Sequence, residues 1–140
     1  MTLTTQCFIV LCFVLNICNR NMDNVWIRCD GILSPIELDQ ALERDRRRND
    51  TIASFWLPEI LQTAVTTIEP FEHLVGCCVS ALTLLRRHAD ALFASLRLLV
   101  SAFSLDNDID LIEVHRKLKL EVSLNAAKSN WRQTLQKVRT

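Results

Sequence analysis

Apolar residues return every three or four positions through most of this chain, and that spacing restricts it to a mainly α fold. Only 2 glycines and 3 prolines are available to interrupt helices in 140 residues. Phe71, Leu74, Val75, Cys78, Leu82 and Leu85 form one stripe after Pro70. Leu92, Leu96, Leu99 and Phe103 form another beyond the polar patch Arg86-Arg87-His88. Each stripe needs a partner surface, because an apolar helical face holds only when it is buried. Two helices broken near His88 to Asp90 suit these residues better than one uninterrupted helix. Leu111 to Leu120 and Leu124 to Val138 are predicted to close the chain as helices. The last of these carries Leu124, Ala127, Trp131, Leu135 and Val138 on one face, so Trp131 reads as core.

The N-terminal part is more apolar still. Residues 1–18 carry no charged side chain, and Leu3 to Ile17 reads as a buried helix. The run from Cys7 to Cys18 is too short to span a bilayer, which takes roughly 20 residues. A signal-peptide core is the rival reading. Against it, nothing basic precedes the run except the amino terminus, and no small-x-small cleavage site follows. The 6 cysteines (Cys7, Cys12, Cys18, Cys29, Cys77, Cys78) fit that rival as three disulfides of a small exported helical protein. Most of them lie inside apolar helical runs, where a thiol behaves as a small hydrophobe, so core thiols in a reducing compartment are expected instead. No C-x-x-C pair is present, and His73, His88 and His115 form no zinc-type spacing with the thiols. Sixteen basic residues balance sixteen acidic ones, so no general pull toward nucleic acid is expected.

Between the first helix and the later ones the character changes. Asn19 to Asn24 is a polar break. Val25 to Arg28 is rich in strand formers, and Asp30-Gly31 is a two-residue hairpin signal. Ile32 to Leu38 would return as the second strand. Yet Ser34-Pro35-Ile36-Glu37 has the form of a capping box with proline at the first helical position, which favours a helix starting at Ser34. Both readings stand on the sequence alone. Glu43 to Asp50 is charge-dense and expected to be exposed, Pro58 opens a short helix reaching about Ile68, and Asp106 to Asp110 is a loop. No internal repeat or linker divides residues 1–140, which read as one domain with 49% apolar content.

The order of apolar helix, polar loop, hairpin, basic loop and helices is similar to the C-terminal lobe of the phosphatidylinositol 3- and 4-kinases. In that family the loop reads D-R-H-x-x-N and a D-F-G follows the hairpin. Here Asn19 stands at the acidic position, Arg20 matches, Asn21 replaces the histidine and Asn24 matches the asparagine. Glu37-Leu38-Asp39 occupies the place of D-F-G. Met22-Asp23-Asn24, Leu42-Glu43-Arg44-Asp45, Leu84-Leu85-Arg86-Arg87 and Lys117 to Ser123 look like the class III 3-kinases. The stretch from Pro70 to Asp90 resembles the 4-kinases about as well.

The resemblance implies ATP-dependent phosphorylation of phosphatidylinositol, with magnesium and ATP as the family's cofactors. Asn19, Arg20 and Asn21 would then form a degenerate catalytic loop. An amide has no usable basicity near neutral pH, and loss of a general base typically costs about 10²–10⁴-fold. Asn24 and Glu37 remain as oxygen donors for magnesium. Arg44, Arg46, Arg47 and Arg48 fall where the family faces the inositol headgroup, although interleaved acids make a solvated surface loop an equal reading. Only Met1 and Thr2 precede the first helix, so a phosphate-binding loop and its lysine are expected to be missing, as is the family's last helix. An inactive lobe is the expectation. It would lie in the cytoplasm at an anionic, endosomal membrane surface or on a protein partner, and bind little ATP alone.

Overall fold

The computed structural model describes residues 3–17, 23, 25–36, 55, 63, 71–102 and 111–137. Among these, five helices and one two-stranded antiparallel sheet make the protein mainly α, as the spacing predicts. The first helix, α1, spans Leu3–Val14. Phe8, Ile9, Val10, Cys12, Phe13 and Val14 are all buried, while Cys7 and Leu11 look outward. A helix apolar around most of its circumference belongs inside a fold, and α1 is packed accordingly: the second strand and two later helices meet it.

The end of α1 is built by Asn16, whose φ of 51° lies in the left-handed region. Asn16 N–H donates to Phe13 O at 3.4 Å and Ile17 N–H to Cys12 O at 3.1 Å, the paired bonds of a Schellman cap. Asparagine enters this conformation at lower cost than most residues. Ile17 is buried, so the apolar run extends past the helix, but the helix itself stops earlier than Ile17.

The sheet pairs β1 (Val25–Ile27) with β2 (Leu33–Pro35), Trp26 standing opposite Ser34. Asp30-Gly31 marks the hairpin, but its loop is not the two-residue kind. Gly31 N–H donates to Arg28 O at 2.8 Å and Arg28 N–H to Ile32 O at 2.9 Å, closing the turn around Cys29, Asp30 and Gly31. Gly31 takes the left-handed place after the turn, with φ of 80°. Ser34 lies in β2, so no helix starts there. Local capping chemistry loses to the ladder with β1 and to burial of Leu33 beside it. Pro35 sits at the strand's end, where its missing N–H is tolerated.

Helix α2 (Phe71–Arg87) buries Leu74, Val75, Cys78, Val79 and Leu82, with Phe71 and Leu85 half-buried, so the first stripe is a core face. It packs between α1 and the last helix. His88 is a turn and α3 (Ala89–Ala102) begins directly after it, where the break is predicted. The second stripe is only partly buried. Leu96 is buried and Leu92 half-buried, but Leu99 is 49% exposed, so burial along this face stops beyond the middle of α3.

Helix α4 (Leu111–Lys117) is shorter than Leu111 to Leu120. Lys119, at φ 54°, reverses the chain and its N–H returns to Arg116 O at 3.1 Å. Helix α5 (Leu124–Gln136) is capped by Ser123, whose Oγ accepts from Ala126 N–H at 3.3 Å. Ala127, Trp131 and Leu135 are buried, whereas Leu124 in the first turn is exposed.

The thiols divide. Cys12 and Cys78 are core, Cys77 is half-buried with Sγ 3.6 Å from His73 Nε2, and Cys7 and Cys29 are exposed. Cys7 falls on the outward strip of α1 and Cys29 in the hairpin turn, so neither is the expected core thiol. Among the described residues, no disulfide joins two cysteines. Among the described residues no helix is long and apolar enough to cross a membrane. Cys18, Phe103, Val138, the segments 43–50 and 106–110, and the predicted helix from Pro58 to Ile68 apart from Thr63 lie outside the described residues.

Candidate functional site

The chemistry-bearing residues named from the sequence are Asn19, Arg20, Asn21, Asn24, Glu37, Arg44, Arg46, Arg47 and Arg48, and all lie outside the described residues. What the structure does define are the two ends of the 18–24 segment. Upstream, α1 ends in the Asn16 cap and Ile17 turns into the core. Downstream, Val25 is buried at the start of β1, while Trp26 and Ile27 are 65% and 50% exposed. Asp23, between them, is exposed.

The upstream end is held by a residue from far along the chain. Lys117 is only 4% exposed. Its Nζ donates to Phe13 O at 2.7 Å and to Asn16 Oδ1 at 2.9 Å. The same nitrogen lies 5.3 Å from the centroid of the Phe13 ring, within cation–π range. Phe13 is itself stacked on Phe55, with centroids 3.9 Å apart. A cation at this place also meets the negative pole of α1, whose last carbonyls lack intrahelical donors.

The corner that carries Lys117 is fixed in turn. Trp131, 1% exposed, donates from Nε1 to Lys117 O at 2.9 Å. From α2, the Arg86 guanidinium donates to the carbonyls of Leu118, Lys119 and Val122, the last at 2.5 Å. These carbonyls flank the left-handed turn at Lys119, and one planar fork of donors answers all three. Arg116 pairs with the half-buried Glu113 at 3.0 Å, and His115 lies 3.9 Å from the exposed Glu121, a pair that contributes little.

Sequence reasoning names Lys117 and Arg86 only as parts of motifs and gives neither a role. A signal was present: Lys117 follows Val114 at helical spacing and precedes Leu118, both fully buried, so a lysine interrupts a core face. Among the described residues, no three histidine, cysteine, aspartate or glutamate side chains are grouped as a metal site.

Compared with known proteins, residues 2–109 match the family model described as phosphatidylinositol 3- and 4-kinase. No curated protein matches the chain. The matched span covers α1, the 18–24 segment, the hairpin, α2 and α3, and ends before α4.

Proposed function

The chain belongs to the phosphatidylinositol 3- and 4-kinase family, and we propose that it is a C-terminal lobe of that kinase domain whose catalytic loop no longer carries a base. What supports this is the family match over residues 2–109 together with an amide, Asn19, at the family's acidic position. Phosphoryl transfer to an inositol hydroxyl needs an acceptor for its proton, a metal bridging the phosphates, and donors that hold the nucleotide. Asn19 cannot take the proton, and Asn21 removes an imidazole. Asn24 and Glu37 fit magnesium by donor type, and a bound ion would neutralise charge on the ATP phosphates. Glu37 carries one methylene more than the family's aspartate, which near-ideal octahedral geometry tolerates poorly. The class III 3-kinase likeness of residues 22–24 and 42–45 makes phosphatidylinositol the lipid of this reading.

Purified chain incubated with magnesium, labelled ATP and phosphatidylinositol vesicles is expected to turn over no faster than a protein-free blank. Turnover that disappears in Asn24→Ala would sink the inactive reading, because a contaminating kinase would be indifferent to that change.

In place of catalysis, the lobe binds at an anionic cytoplasmic membrane surface through Arg44, Arg46, Arg47 and Arg48. Arginine pairs bidentately with phosphate oxygens. Each basic residue near an anionic surface contributes about 1 kcal/mol. Changing all four to alanine is therefore expected to weaken binding to phosphoinositide-containing vesicles by about 10²–10³-fold. Equal cosedimentation of the two proteins would dismiss the lipid role and leave a protein partner.

A further inference from the structure

We propose that Lys117 is a positioning residue for the segment that leaves α1: its ammonium, seated on Phe13 O and Asn16 Oδ1, sets the left-handed exit at Asn16. That the segment ahead is a former catalytic loop rests on the family reading; the clamp itself rests on described geometry. Burying an ammonium costs several kcal/mol before its partners repay it. A methionine or leucine at 117 would fill this position without that cost, and such replacements are often neutral or stabilising. A core needing only volume has no use for a cation here. What an ammonium adds is direction, since its three donors must point at acceptors.

The acceptors found are the last-turn carbonyl of Phe13 and the side chain of Asn16, the residue whose φ of 51° decides where the chain goes next. Asn16 lies three positions before Asn19. The mount is stiff on the other side, because Trp131 holds the Lys117 carbonyl and Arg86 holds the carbonyls of Leu118, Lys119 and Val122. Helices α4 and α5, which lie beyond the family match at residue 109, thus reach back to the stem of the segment at 18–24. The functional unit is larger than the matched span.

The test is amide hydrogen exchange on the full chain, resolved by residue, for wild type, Lys117→Met and Asn16→Gly. Three amides report the cap directly: Leu15, Asn16 and Ile17, which donate to Leu11, Phe13 and Cys12 carbonyls. Lys117→Met is expected to speed exchange at these amides tenfold or more, while Leu74, Cys78 and Leu82 in α2 stay within twofold. Asn16→Gly, which keeps the left-handed exit but removes the side-chain acceptor, should speed the same amides. Adding it to Lys117→Met should then change nothing further. Unchanged exchange at the cap overturns the proposal, and so does a parallel rise in α2, which would mark Lys117 as ordinary core. Should Lys117→Met fail to fold, Asn16→Gly decides: faster cap exchange supports the clamp and unchanged exchange overturns it. These amides report the clamp whether or not the chain handles ATP or lipid, so its failure and that of the family reading are separable.

Discussion

Trp131→Ala is expected to remove a large share of the protein's stability, costing about 3–5 kcal/mol. The indole is 1% exposed, so its deletion leaves a void enclosed by core residues. Single domains are stable by only about 5–15 kcal/mol. The change also withdraws the Nε1–H donor from Lys117 O, which loosens the corner between α4 and α5. Trp131→Phe separates the two effects. It keeps most of the apolar volume and loses the donor, and is expected to cost about 1–3 kcal/mol. Urea unfolding followed by far-ultraviolet circular dichroism measures both. A midpoint for Trp131→Ala within error of wild type would mean that α5 does not pack as described.

The second large effect is alkaline. Burial, with the neighbouring Cys77 and Cys7 thiols, pushes the Cys78 thiol up to about 12 from an ordinary 9.0. The sign follows from which state holds the proton. Below pH 9 both the folded and the unfolded chain keep it, and pH makes no difference through this group. Between about 9 and 12 the unfolded chain releases it while the folded chain does not, so stability falls as pH rises. The slope is about 1.4 kcal/mol per pH unit at most. The chain has no tyrosine, so only thiols and lysines titrate in that window. Unfolding midpoints measured from pH 8 to 10.5 should fall more steeply for wild type than for Cys78→Ala. Parallel slopes would show that Cys78 ionises as freely in the fold as outside it. Alkylation should reach the exposed Cys7 and Cys29 first and the buried Cys78 only on unfolding, because the reagent must meet the sulfur.

These outcomes bear on how the chain could be read. The stripe from Phe71 to Leu85 was legible because one helix face meets one core, and period 3.6 survives any detail of the partner. Leu99 was misleading for the converse reason: the spacing continues into the second half of α3, but no described element covers it there. Ser34 was ambiguous because a capping box and a strand edge use the same residues. Pairing of Trp26 with Ser34 resolved it through a contact the local sequence does not contain. The candidate site is an expectation from the order and spacing of Asn19, Arg20, Asn21 and Asn24, which lie outside the described residues; the clamp at the end of α1 left no such pattern. Lys117 and Asn16 are 101 positions apart, and no periodicity links them.

By itself, the sequence determined the helical class, the apolar first helix, the hairpin after it and the family, because each depends on short-range spacing or on residue order. It also fixed Asn19 as an amide, whatever the fold around it. Tertiary structure alone decided which lysine lies under α1, which arginine gathers the carbonyls of Leu118, Lys119 and Val122, and where α4 stops. A buried cation is specified by the acceptors around it, and those come from a helix at the other end of the chain. The clamp at the end of α1 is assembled only when α4 meets α1, with α2 and α5 holding the corner that carries Lys117.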